Sequence, residues 1–311
     1  MAWILVFFGL VVLLVAGDSL VKAAVNLALR MGISPFMVSL TVVAFGTSAP
    51  ELFIVLSALA DNAPDLAVGN IIGSNIANVL LVLGLPALAA GLNTAGYDTR
   101  KAFAYMIATT VLFIALAFLA PFTWWHSAIL LTFLTFILFD QLGDAGRNSE
   151  SNKSEPLEGV NLEMRGWTIT VYLILGIIGL PIGATILVAN AELIARDFGV
   201  SETVIGLTLV AIGTSLPELA TTMVAAIRKQ ADVALGNIIG SNMFNLLAVV
   251  GIAALVSPVP VASQFLTFDL WVMLAASLVL IPFVLFHQNI GRIWGLSLTV
   301  IYLAYLLLVL F

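Results

Sequence analysis

Glu51 and Glu218 are the residues of this chain best placed to do chemistry, because each sits in a long apolar stretch among oxygen-bearing neighbours. The first belongs to Gly46-Thr47-Ser48-Ala49-Pro50-Glu51-Leu52, the second to Gly213-Thr214-Ser215-Leu216-Pro217-Glu218-Leu219. A further shared segment follows each, Gly69-Asn70-Ile71-Ile72-Gly73-Ser74-Asn75 and Gly236-Asn237-Ile238-Ile239-Gly240-Ser241-Asn242. Both pairs lie 167 positions apart (51 to 218, 75 to 242). In a helix, Thr47 and Ser48 share a face with Glu51, and Thr214 and Ser215 share one with Glu218. Ser74 and Asn78 lie on one face of the following segment, as do Ser241 and Asn245. Proline lacks an N–H and crowds the carbonyl four residues before it. Pro50 and Pro217 are therefore expected to release carbonyls at Gly46 and Gly213, with distortion reaching Ala44 and Ala211. The set is all hard oxygen, with neither sulfur nor histidine, which suits sodium, calcium or magnesium and not zinc or copper.

Positioning such groups inside a bilayer is costly. A carboxylate at the centre of a membrane helix costs about 2.5–3.5 kcal/mol on insertion scales. Two of them are poorly explained as packing. The asparagines Asn70, Asn75, Asn237 and Asn242 read equally well as helix bridges or as ligands.

The elements that must hold these groups are membrane helices. Hydrophobic residues make up 62% of the 311 and charged residues 9%, against about 25% charged in soluble domains. Ten apolar segments are long enough to cross a bilayer. Their expected limits are 3–29, 35–60, 66–90, 102–121, 124–143, 167–196, 203–227, 233–256, 269–286 and 292–311. The N-terminus lacks a basic region and a cleavage site, so the first segment reads as a retained span. The polar run from Asp144 to Arg165 reads as a linker, giving a first half over 1–143, a linker over 144–166 and a second half over 167–311. With no cysteine, disulfides and thiolate metal sites are excluded.

Basic residues set the orientation. The odd-numbered loops carry Arg30, Arg100, Lys101, Arg147, Lys153, Arg165, Arg228, Lys229 and Arg292, whereas the even loops and termini carry only Arg196. Odd loops are thus expected in the cytoplasm and both termini outside. Five spans per half then place the halves in opposite orientations, an inverted repeat that brings Glu51 and Glu218 together near the midplane. The fold class expected is an all-α polytopic membrane protein. Asp18 with Lys22, and Glu192 with Arg196, have the spacing of helix ion pairs. Asp61 and Asp65 read as a solvated turn.

The paired Gly-Thr-Ser-x-Pro-Glu and Gly-Asn-Ile-Ile-Gly-Ser-Asn segments resemble the two alpha repeats of the calcium/cation antiporter superfamily, nearest its prokaryotic sodium/calcium exchangers. The resemblance covers the whole chain. It implies a secondary antiporter of the cytoplasmic (inner) membrane that exchanges sodium for calcium by alternating access. It carries over Glu51 and Glu218 as central calcium ligands, with Thr47, Ser48, Thr214 and Ser215 beside them. It also carries over Ser74, Ser241, Asn78, Asn245 and the carbonyls near Ala44 and Ala211, and makes the first and sixth helices the moving pair. Some exchangers have an aspartate at one of the positions of Asn78 and Asn245, so this centre has two carboxylates in place of three. Two carboxylates alone balance one calcium or two sodium ions, whereas the resemblance favours an electrogenic exchange.

Two other readings compete. A calcium/proton antiporter would use the same glutamates, but such relatives approach the glutamate through Gly-Asn instead of Gly-Thr-Ser. A channel would build its pore from several subunits, whereas one chain here supplies both halves of a centre. An enzyme is not expected, since His126 and His287 lie at span ends and no nucleophile–base pair or phosphate loop is present. The expected partners are calcium and sodium ions and the lipid bilayer, with no cofactor and no nucleic acid, and the chain is expected to function as a monomer.

Overall fold

The structure is a computed structural model and describes residues 1–147, 164–199 and 211–310. Ten helices are named here: α1 (Ala2–Met31), α2 (Pro35–Ala60), α3 (Pro64–Ala90), α4 (Arg100–Ala117), α5 (Trp124–Arg147), α6 (Gly166–Asp197), α7 (Leu216–Ile227), α8 (Ala231–Val256), α9 (Phe265–Leu285) and α10 (Arg292–Leu310). All but α5 and α7 contain a stretch long and apolar enough to cross a membrane, so there are eight such helices among the described residues. The α5 helix spans 24 residues, and the side chains at 142 and 144–147 lie outside the described residues. The start expected for the seventh span, 203–210, lies outside the described residues, as does 148–163 of the expected linker. Elsewhere the helix ends fall within about four residues of the expected limits. Among the described residues the only β contacts are two isolated bridges, Leu92–Ile290 and Phe122–Val259.

Local sequence sets the breaks. Gly32 ends α1 in the left-handed conformation at φ 68°, where a side chain would be strained, and Gly199 follows α6 at φ 77°. Ser34 then caps α2, accepting from the Met37 N–H, with Pro35 at the first helical position. Inside α2 the helix breaks at Ser48 (φ −84°, ψ 0°), just before Pro50, and Ser215 (φ −88°, ψ 5°) does the same before Pro217. The helices α3 and α8 each widen by one residue per turn at matching places, Asn78–Val82 and Asn245–Val249.

Burial sorts the helices into two groups. In the most apolar window of α3, 83% of residues are buried, and in that of α8, 89%, against 33% for α1 and 22% for α6. So α3 and α8 form the interior, while α1 and α6 lie paired at its edge with broad lipid-facing surfaces. Close approach needs small residues, because lipid offers no hydrophobic drive between helices. At Gly236, a Cβ would sit 2.6 Å from the Phe36 carbonyl, so α2 crosses α8 backbone to backbone. At the α1–α6 seam, Gly9 lies against Gly183 and Leu187, and Gly176 lies against Ala16 and Leu20.

Candidate functional site

The two helix breaks deliver the polar residues to one place. Glu51 and Glu218 are both fully buried. Thr47 Oγ1 lies 3.3 Å from Ser241 Oγ and 3.3 Å from Asn237 Oδ1, joining the first motif to α8. The opposite crossing is made by Ser74 on α3, whose hydroxyl is 3.5 Å from Thr214 Oγ1. Asn78 donates to Asn242 Oδ1 at 3.1 Å, so the interior helices also touch directly. Ser48, Ser215 and Asn245 are buried in the same region.

Hydrogen bonding here is conspicuously incomplete. Sixteen buried side-chain polar atoms among the described residues have no partner, and eleven belong to the repeated segments or to Asn78 and Asn245. They include all four carboxylate oxygens of Glu51 and Glu218, the hydroxyls of Ser48 and Ser215, and both amide atoms of Asn245. Each such group costs about 1–3 kcal/mol when left without a partner, and more if charged. Clustered carboxylate, hydroxyl and amide oxygens facing one another make a set of donors for a hard cation. Among the described residues there is no group of three or more His, Cys, Asp or Glu that could hold a metal, so this set relies on neutral oxygens around two acids.

The carbonyls behave differently in the two motifs. The Ala44 carbonyl accepts the Ser48 N–H at 3.0 Å and the Thr47 hydroxyl at 3.3 Å. The distortion expected to reach Ala44 from the proline thus leaves its carbonyl bonded within the helix. In the second motif the Ser215 N–H goes to the Ile212 carbonyl, three residues back, at 3.0 Å.

Two of the asparagines bridge helices. Asn237 donates to Thr222 Oγ1 at 3.1 Å, and Asn242 donates to the Asn75 carbonyl at 3.4 Å. Thr222 and the Met106 sulfur beside Asn242 belong to the centre's surroundings and carry no sequence signal that marks them.

A cavity of about 280 Å³ leads away from the centre on one side. Pro50, Ile54, Thr214 and Pro217 form its inner wall and Ala184 to Glu192 of α6 its outer one. Glu192 pairs loosely with Arg196, at 3.8 Å. On the side of α7 facing α1 there is contact instead: a Cβ on Gly17 would meet the Ala220 backbone at 3.2 Å. Asp18 there pairs with Lys22 at 2.7 Å, as its spacing implies, and also with Arg228, whose Nε donates at 2.6 Å. The arginine is a partner that spacing could not reveal.

The sequence model of the family described as "Sodium/calcium exchanger protein" matches residues 1–142 and 168–311. The chain belongs to the sodium/calcium exchanger family. This exchanger is similar to "Putative antiporter CaxA" of Alkalimonas amylolytica, at 37% identity covering 98% of this chain and 97% of that one. It is also similar to "Sodium/calcium exchanger MaX1" of Methanosarcina acetivorans, at 33% identity with the same coverage. Among solved structures it resembles the sodium-calcium exchanger NCX_Mj, with a TM-score of 0.82 and 29% identity over 98% of this chain and 97% of that one. It is thus a multi-pass inner-membrane transporter that carries out cation antiport, and not an enzyme.

Proposed function

We propose that this exchanger moves sodium against calcium by alternating access, with both ions using the cluster between Glu51 and Glu218. The observation that carries the reading is the burial of both carboxylates with every oxygen lacking a protein partner. Calcium takes six to eight oxygens, and Glu51, Glu218, Thr47, Ser48, Thr214, Ser215, Ser74, Ser241, Asn78 and Asn245 offer a hard-oxygen set of that kind. On this reading the backbone carbonyls near Ala44 and Ala211 complete the set, with the Thr47 hydroxyl turning from the Ala44 carbonyl to make room.

The chain is read as ten spans in two inverted halves, 1–143 and 167–311, joined by a linker over 144–166. Mirrored contacts support this. The contact of Gly9 with Gly183 and Leu187 maps, on a shift of 167, onto that of Gly176 with Ala16 and Leu20. Thr47–Ser241 maps likewise onto Thr214–Ser74. Such exchange of roles is what a two-fold axis in the membrane plane produces. With the basic loops in the cytoplasm and both termini outside, the cavity along α6 opens outward, and the face between α1 and α7 is the cytoplasmic passage, here shut. Each chain holds a whole centre and works as a monomer.

Proteoliposomes loaded with labelled calcium test this. An inward sodium gradient should drive calcium out and a proton gradient should not, with net charge moving as three sodium ions replace one calcium. Glu51→Gln and Glu218→Gln should each abolish the flux while leaving the protein monodisperse. Normal exchange in either variant would remove the cluster from the mechanism, and proton-driven efflux would favour the calcium/proton reading.

A further inference from the structure

The cytoplasmic passage is shut by charge as well as by packing. Asp18 lies on α1 with side-chain exposure of 31%, and its two oxygens are divided between two cations. Lys22 Nζ holds Oδ2 at 2.7 Å, and Arg228 holds Oδ1 through both Nε and Nη2. Lys22 sits one turn along the same helix, so its pair with Asp18 survives any movement of α1. Arg228 ends α7, so its pair ties α1 to the helix that carries Glu218.

The mirrored positions show what this arrangement adds. Shifted by 167, Asp18 corresponds to Thr185, Lys22 to Ala189 and Arg228 to Asp61. The α1 and α6 helices keep that register, since their mirrored glycine contacts and the glycines that follow them coincide. Thr185 and Ala189 line the open cavity, and the Thr185 hydroxyl bonds within its own helix, to the Pro181 carbonyl. Where one side of the molecule has an open cavity, the other has three charges that cross from α1 to α7. Those charges sum to about +1, which also discourages cations from the closed side.

We infer that the Asp18–Arg228 pair is an ionic latch that holds the cytoplasmic passage closed and must part in each transport cycle. The inference rests on the two-passage reading above. When the latch parts, Asp18 keeps Lys22 and Arg228 turns to solvent, so neither charge is left buried alone. Among the described residues the outer passage has no counterpart, and the empty protein is therefore biased toward the outward-open form by about fivefold for an ion pair of this exposure.

The chain has no cysteine, so introduced pairs are the only thiols. In Asp18→Cys with Arg228→Cys, a cleavable bis-methanethiosulfonate reagent replaces the ion pair with a covalent bridge. Calcium-for-calcium exchange is the readout, because it needs alternation but no particular counter-ion. Bridging should stop the exchange and reductant should restore it; exchange continuing at full rate through the bridge would overturn the latch.

A second measurement covers a double variant that folds poorly. Thr221 is wholly buried on α7, beside Gly17. Asp18→Asn should raise labelling of Thr221→Cys by a membrane-impermeant maleimide from the cytoplasmic side about fivefold. It should lower labelling of Ile54→Cys from outside, whereas simple loosening of the fold would raise both. Arg228→Lys should restore most of the closed state relative to Arg228→Gln. Unchanged labelling at both sites would overturn the proposal. A reciprocal shift with the two sides exchanged would support the latch and refute only the assigned orientation.

Discussion

The two copies of the Gly-Thr-Ser-x-Pro-Glu motif are nearly the same text in different surroundings. Around the first copy the contacts are tight: Thr47 reaches Ser241 and Asn237, the Ala44 carbonyl is doubly bonded, and Asn78 is tied to Asn242. Around the second, Ser74 meets Thr214 at 3.5 Å, the Ser215 N–H reaches the Ile212 carbonyl, and the Asn245 side chain has no partner among the described residues. The second copy borders the cavity along α6, and α7 closes against α1 on the opposite side. Sequence therefore specifies two equivalent half-sites, and helix placement makes them unequal. In a symmetric repeat, inequality of this kind is what one frame of an alternating cycle would show, and the partner frame would exchange the roles.

The sharpest way to break this comparison is to probe mirrored wall positions. Ile54 borders the cavity, and its counterpart Thr221 is wholly buried with its hydroxyl bonded to the Pro217 carbonyl. A bulky thiol reagent added from outside should silence Ile54→Cys exchange almost completely, while the same reagent leaves resting Thr221→Cys active. Equal sensitivity at the two positions would remove the asymmetry.

Next in size is the seam between α1 and α6. Gly9→Val and Gly176→Val should each cost about 1–3 kcal/mol of unfolding stability by overpacking, and by similar amounts, because their neighbours are mirror images. Thermal unfolding in detergent reads both, and a large effect at one glycine alone would contradict the two-fold relation of these helices.

A smaller contrast is expected at the repeat asparagines. Asn237→Ala deprives Thr222 and Thr47 of a buried partner and should cost about 1–3 kcal/mol. Its counterpart Asn70 has an amide nitrogen without a partner, so Asn70→Ala should stay within about 0.5 kcal/mol. The reverse order would mean that the two asparagines exchange their structural weight.

The smallest effect belongs to Glu192, which borders the cavity in a loose pair with Arg196. Glu192→Gln should weaken apparent calcium affinity from outside only at low ionic strength, because charges exposed to solvent are screened within about 8 Å at physiological salt. Val25, its mirrored position, has no charge to remove.

Much of this was legible from sequence for specific reasons. Helix limits followed from apolar length, and the serine breaks from the prolines at Pro50 and Pro217. The Asp18–Lys22 pair was readable because both residues share a helix, whereas Arg228 lies 210 positions from Asp18 and only tertiary packing brings it there. The bonded state of the Ala44 carbonyl was missed because the proline argument treats a helix alone; the Thr47 hydroxyl and the Ser48 N–H supply donors that it does not count. Nor could identical motifs reveal which copy borders the cavity, since that depends on how α1 and α6 pack against them.

The central claim is that Glu51 and Glu218 form one cation centre shared by sodium and calcium. Equilibrium binding of labelled calcium to the purified protein tests it most directly, with sodium as competitor and with each Glu→Gln variant. The account predicts saturable calcium binding at one central site that sodium displaces and that either single variant loses. Binding that survives in Glu51→Gln or Glu218→Gln, or that sodium leaves untouched, would contradict it.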